Sequence, residues 1–413
     1  MMKNICCHLR ILSTGNTKTL NKTLEISSNI AIYDIGYPLI SAPNIPEGFS
    51  TSEQYLFHLV YEGAKQRYGN VNENVKKRLD FELLAICDSG YADYFLVVSD
   101  ILAIARATGA FISYGVGASS GSIINYCLRI TEIDPIRYDL LFERFFGNPE
   151  KNNIPYIIIY MVIKEKNKHE MFKYISKKYG DIIQYSFSDV NNYGFVAMVQ
   201  EELRALYILQ KTIDIIRMIR DEHIDINNIS FEDKSAYQLF CKCETSDIYG
   251  FDMKDMKKYL RKLPPTSIEH LAVLYSIEIM QSAYIKPNCY KKLGLEHFLK
   301  DSFGIIAFQE QIMTISCEMA GFSPWQSDDF RIALGKNDVN RLTEFRKQFI
   351  EGCKTNGYDE EMVLKLWLSI KDCESCCFNK SHAIYKALIA YQMAWLKLYY
   401  PPEFRMALAL CKY

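Results

Sequence analysis

The run Ile154-Pro-Tyr-Ile-Ile-Ile-Tyr-Met161 limits what this chain can fold into more than any other segment. Its core, Tyr156 to Tyr160, is made only of β-branched and aromatic residues, the composition of a buried strand. On a strand, residues i and i+2 share a face roughly 6.5 Å apart, from a rise of about 3.3 Å per residue. Tyr156, Ile158 and Tyr160 therefore share one face, with Ile157 and Ile159 opposite. The chain on either side reads as helix. From Glu53 to Tyr68 the apolar spacing is helical, with Tyr55, Leu56, Leu59 and Val60 on one side. Asn74 is the expected N-cap of a second helix, Val75–Cys87. Further helices are expected over Ile101–Ala107 and Ile123–Leu128.

A length of 413 residues allows two or three domains with ample core. The net charge of −1 carries no global signal for nucleic acid, so any contact with phosphate needs local patches. Thirteen cysteines show no even framework spacing, and the apolar stretch near Met1 is too short and interrupted for secretion or membrane insertion. Free thiols in a reducing cytoplasm, away from any membrane, are expected. Cys373, Cys376 and Cys377 with His382 lack a second ligand pair at useful spacing, whereas structural zinc sites close with four ligands. No metal is expected there.

Several blocks follow one another along the chain. They are Gly90-Tyr-Ala-Asp-Tyr-Phe-Leu-Val-Val98, the segment Arg129–Glu150, Gly304-Ile-Ile-Ala-Phe-Gln-Glu-Gln-Ile-Met313, Arg331-Ile-Ala-Leu-Gly-Lys336, Phe378-Asn-Lys-Ser-His-Ala383 and the tail Tyr391–Phe404. In this order they resemble the bacterial replicative DNA polymerase III alpha subunits (family C). The resemblance implies an α+β fold: a palm of nucleotidyltransferase type, with a mixed sheet and flanking helices, then a mostly helical fingers region. It implies a remnant of the phosphoesterase-like (PHP) domain exit over 1–50, where Leu20–Ile26 and Pro46–Ser50 match. A helical connector over 51–90, a palm over 91–215 and fingers over 216–413 follow. Met171–Gly180 resembles a palm helix of the family ending in Tyr-Gly, and between it and the third acidic position family members carry a long thumb. This chain has only residues 181–204, so the thumb is expected to be largely deleted.

The family's chemistry uses Mg²⁺, in two-metal sites with ions about 3.5–4 Å apart. The carboxylates stand on a strand reading Pro-Asp-Phe-Asp-Val-Asp-Phe. Here Pro155 remains, but the acid positions hold Tyr156, Ile158 and Tyr160. Mg²⁺ demands hard oxygen ligands; isoleucine offers none and a neutral phenol is a poor substitute. The third acid lies in a Phe-Asp-Phe-Leu-Gly-Leu-Arg-Thr-Leu segment on a neighbouring strand. Its counterpart here, Ala205–Ile213, puts Leu206 at the acid. No catalytic residue and no metal cofactor is expected.

The family's Pro-Gly-Arg-Gly-Ser-Gly-Ala-Gly-Ser loop cradles the incoming triphosphate with backbone N–H groups and an arginine. This chain reads Tyr114-Gly-Val-Gly-Ala-Ser-Ser-Gly-Ser122. Gly115, Gly117, Gly121 and Ser122 survive as nucleotide-binding candidates, while the arginine is Val116 and the first serine Ala118. The alternative is a turn that merely opens a helix. Arg331, Lys336, Lys380 and His382 fall at dNTP-pocket positions, although a second arginine is Ile332 and a second lysine Asn337. Asn379–His382 reads equally as a helix-start hydrogen-bond network. Met253–Leu263 reads as a helix with Lys254, Lys257, Lys258 and Arg261 on one face, either a DNA contact or a solvated surface.

The expectation is a truncated, catalytically degenerate relative that lacks nucleotidyl transfer and keeps weak binding of DNA, a nucleotide or replisome proteins. One rival is an active DNA polymerase with displaced carboxylates, drawn from Asp181, Asp189, Glu201 or Glu202. Another is a folded decay product without function.

Overall fold

Helices begin where the chain supplies a side-chain acceptor for the orphan backbone N–H groups of a first turn. In the computed structural model Thr51 accepts from the Gln54 N–H and opens α1 (Ser52–Tyr68), and Asn72 accepts from Val75 and opens α2 (Glu73–Asp88). The cap of α2 is thus Asn72, not Asn74; two more residues at the start join the helix. The structure describes residues 45–151, 155, 157, 159, 161–162, 165–179, 193–279, 295–372 and 377–411. The segment Leu20–Ile26 lies outside them.

There follow α3 (Ala92–Ala107), β1 (Phe111–Ile112), α4 (Ile123–Cys127), α5 (Phe142–Phe146), β2 (Met161–Val162), α6 (Glu165–Tyr179) and α7 (Tyr193–Arg220). Next come α8 (Lys234–Cys241), α9 (Met256–Lys262), α10 (Ile268–Ile279), α11 (Glu296–Leu299), α12 (Gln309–Ala320) and α13 (Pro324–Gly335). The chain closes with α14 (Val339–Thr355), α15 (Glu360–Asp372), α16 (Lys380–Tyr399) and α17 (Pro401–Leu410). Two compact units result: one takes in the described residues up to Ile224 together with the segment from Tyr400, the other is Asp225–Tyr399.

In the first unit α1 packs on α3 and α4, α2 on α4, and α6 on α3. Where a mixed sheet was expected, the sheet among the described residues is a two-stranded antiparallel ribbon, with Phe111 opposite Val162 and Ile112 opposite Met161. In the approach to β2, Pro155, Ile157, Ile159 and Met161 are all buried. Tyr156, Ile158 and Tyr160 lie outside the described residues. Leu206 corrects the strand expected over 205–213: it is buried on α7, a helix of 28 residues that packs against β2. Leu206, Leu209, Thr212 and Ile216 form a buried stripe at helical spacing, and no proline or glycine interrupts 205–220. α7 also packs along α17, where Arg220 Nε meets the Glu403 carboxylate at 2.7 Å and the Tyr400 hydroxyl donates to Glu222.

The second unit is built on α16, buried around nearly its whole circumference from Ala383 to Ala394 and packed against the equally buried α10. Two of its internal polar groups reach the backbone: the Tyr391 hydroxyl donates to the Ser230 carbonyl and Gln392 Nε2 to that of Ile226. Beside this pair, α12 to α15 enclose an aromatic core in which Phe330 stacks on Trp367 with ring centroids 5.5 Å apart, flanked by Phe349.

The approach of α1 to α4 depends on Gly63, where a Cβ would fall 2.1 Å from the Cys127 carbonyl oxygen. Alanine gains up to about 1 kcal/mol of helix propensity over glycine. A backbone clash of this depth outweighs it, because the two helices must separate. Gly63→Ala is expected to destabilise the fold by about 2 kcal/mol, read as a lower urea midpoint with unchanged slope.

Candidate functional site

Close contacts at Gly115 and Gly121, and a left-handed backbone at Gly117, account for the glycines of the loop. Gly115 has φ +115°, and a Cβ there would meet Ser120 Oγ at 2.5 Å and the Thr131 methyl at 2.6 Å. Gly121 passes close under α5, since its Cβ would lie 2.5 Å from the Leu141 carbonyl oxygen. Gly117 has φ +72° with open space around it, a conformation only glycine adopts readily. Val116 is buried in this loop, and Ser122 caps α4 by accepting from the Asn125 N–H at 3.2 Å.

A residue with no sequence-based assignment dominates the site. Glu82, on α2, is completely buried. Its carboxylate accepts from Ser122 Oγ at 2.6 Å and from the N–H groups of Ile123 and Ile124 at 3.2 and 3.4 Å. Arg78, one turn earlier, pairs with Glu82 at 2.6 Å and donates to the carbonyls of Gly121 and Leu140. The backbone donors at the start of α4, which an incoming phosphate would use, are therefore engaged by an internal carboxylate. The sequence signal is legible afterwards: Glu82 falls within the apolar stripe Val75, Leu79, Leu83, Ile86.

In the second unit two motif blocks come together. Phe308 and Phe378 form a parallel bridge, with the Gln309 N–H donating to the Phe378 carbonyl and the Phe378 N–H to Ala307, both at 2.9 Å. Asn379 then accepts from Ser381 Oγ and the His382 N–H, while the buried Glu310 carboxylate accepts from the Lys380 N–H at 2.9 Å. This is a helix-start network. His382 stands beside Phe378 and Tyr385, and burial, aided by the Lys386 charge, pushes its imidazole down to about 3. It is neutral at physiological pH and brings no charge to a phosphate. Arg331 pairs with the buried Asp328 at 2.7 Å, and Lys336 is exposed at the end of α13.

The basic face is shorter than expected, because α9 starts at Met256 and Lys254 precedes it. Met256 and Leu260 turn inward; Lys254, Lys258 and Arg261 are exposed and Lys257 half-buried. Lys258 is paired with Asp255 at 2.6 Å. Of the acids considered as displaced ligands, Asp181 and Asp189 lie outside the described residues, and Glu201 and Glu202 belong to α7. Among the described residues no three His, Cys, Asp or Glu side chains gather as a metal group. No described helix is long and apolar enough to cross a membrane.

Two family profiles match the chain. The bacterial DNA polymerase III alpha NTPase domain covers residues 54–264, and the bacterial DNA polymerase III alpha subunit finger domain covers 205–357. The second begins at Ala205, where the third-acid segment was placed. Among curated relatives, the DNA polymerase III subunit alpha of Borreliella burgdorferi is 26% identical over 515 positions, covering 94% of this chain and 45% of the relative. That of Bacillus subtilis is 24% identical over 515 positions (95% and 46%), and that of Aquifex aeolicus 26% over 544 (94% and 47%). The chain spans about half the length of these relatives. The alignments are longer than the 413 residues themselves, so the relatives carry segments inside the matched region that have no counterpart here.

Burial is the largest influence on Glu82 and raises its pKa above the ordinary 4.5. The folded state therefore holds this proton more tightly than the unfolded chain. The stability from this group is full below pH 4.5 and is lost as pH rises through the folded value. Glu82→Gln should flatten that decline relative to the parent, measured as urea midpoints from pH 4 upward. A parallel pH profile for both proteins would contradict this role.

Proposed function

Because the chain belongs to the bacterial DNA polymerase III alpha family, we propose that it is a catalytically inert relative of the replicative polymerase that has kept binding rather than synthesis. The observation that carries this reading is the occupancy of the three acid positions by Tyr156, Ile158 and Tyr160. These side chains do not fit Mg²⁺, so no step of nucleotidyl transfer follows from them. The placement of Glu82 against the start of α4 supports the same reading, as does the replacement of the phosphate arginine by Val116. On this reading the region around the β1–β2 ribbon descends from a palm and the second unit from the fingers. The extra length of the alignments supports loss of most of the thumb. Partners are weakly held DNA or nucleotide through Arg331, Lys336, Lys380, Lys254, Lys257, Lys258 and Arg261, or replisome proteins in the cytoplasm.

Primer extension on a primed template with Mg²⁺ or Mn²⁺, run beside filter binding of the same DNA, tests both halves. No template-directed incorporation is expected, with DNA retained on the filter. EDTA-sensitive incorporation would establish displaced carboxylates instead, and absence of both activities would leave only the decay product.

Restoring two acids should not restore synthesis. Carboxylates at i and i+2 without metal repel each other, so their pKa values rise. Without a thumb the primer hydroxyl also lacks orientation. Ile158→Asp/Tyr160→Asp is expected to unfold at lower urea than the parent and to remain inactive in primer extension.

A further inference from the structure

Three arginines from three separate segments of the first unit converge on one carboxylate, Glu132, whose N–H donates to the Tyr114 carbonyl beside the glycine loop. Arg67 of α1 reaches Glu132 at 2.6 Å, Arg106 of α3 reaches it at 3.3 Å, and Arg129 lies 3.7 Å from it. The cluster is built rather than incidental. Arg67 lies over the Tyr126 ring at 4.3 Å and donates through Nε to the Tyr126 carbonyl. Arg106 donates to the Arg129 carbonyl. Arg129 itself adopts φ 57°, a left-handed conformation uncommon for a non-glycine residue.

Charge is unbalanced at this point. The charges acting on Arg106 are Glu132, Arg129 and Arg67, and burial pulls its pKa below the ordinary guanidinium value. Three cations thus share one anion, leaving an excess of two positive charges in a partly dehydrated setting. Asp134, the next carboxylate along the chain, is taken up by the Tyr68 hydroxyl and the Ile136 N–H. Arg129 is 57% exposed and its contact with Glu132 is long, so its planar fork of donors faces water. A forked guanidinium beside two others is suited to a tetrahedral oxyanion, which takes paired charge-assisted hydrogen bonds.

We propose that Arg67, Arg106 and Arg129 form a phosphate-binding site. The ligand is a phosphate group carried by a free polyphosphate or by the backbone of a nucleic acid. The site borders the glycine loop, but its three guanidinium groups are not among the nucleotide-binding side chains assigned above.

Calorimetric titration of the full chain with inorganic pyrophosphate, at constant ionic strength in chloride, tests it. Saturable binding is expected. Arg129→Gln should weaken it about tenfold, as for loss of one charge-assisted pair, and Arg129→Lys should recover part of the loss. Arg129 is the exposed member, so thermal unfolding without ligand should stay close to the parent's. Fluorescence anisotropy with a single-stranded oligonucleotide separates the sources. Loss of oligonucleotide affinity in Arg129→Gln assigns the site to backbone phosphate, and unchanged affinity assigns it to a free polyphosphate. Absence of pyrophosphate binding, or binding indifferent to both Arg129 variants, would overturn the proposal and leave a structural ion-pair network.

Discussion

The buried carboxylate of Glu82 is the interaction on which the organisation of the first unit depends. An unpaired charge in such a place is costly, and several kcal/mol are at stake when one partner of a buried pair is removed. Here the Ser122 hydroxyl, two backbone N–H groups and Arg78 surround it. Arg78 in turn ties down the carbonyls of Gly121 and Leu140. One buried carboxyl group therefore fixes the start of α4, the glycine loop before it and the turn into α5 against α2. The second unit repeats the device, with Glu310 receiving the first N–H of α16. In both places the backbone N–H groups at a helix start are already engaged by an internal carboxyl group.

That arrangement separates persistence of shape from persistence of chemistry. Gly115 and Gly121 are retained because backbone and side chains press on their α-carbons, independent of any nucleotide. Asn379, Ser381 and the Lys380 backbone are held in a cap that orients the deeply buried α16. Motif residues can therefore outlast the activity that a motif is associated with.

How much was legible in the sequence follows from which forces are local. The helices over 52–68 and 73–88 were visible because 3.6-residue periodicity and a capping side chain lie in one short window. The cap itself was misplaced from Asn72 to Asn74, since either asparagine satisfies the pattern and only the turn decides. The segment around Leu206 was assigned to a strand by a short resemblance, although its apolar residues recur at helical spacing; α7 shows that the periodicity was the better guide. Glu82 and the Arg67–Arg106–Arg129 cluster were not read at all. Their meaning lies in contacts between segments far apart in sequence, which no local pattern encodes.

The clasp between α7 and α17 has a topological consequence. Arg220 with Glu403, and Glu222 with Tyr400, hold together the two points at which the chain leaves and re-enters the first unit. Asp225–Tyr399 is thereby an insertion whose ends are anchored side by side in its host. Closing a long loop costs only slowly more as the loop grows, so the host tolerates an insert of almost any length between these anchors. Such a joint lets one module be lengthened, shortened or exchanged through evolution while the chain ends of the other stay stitched.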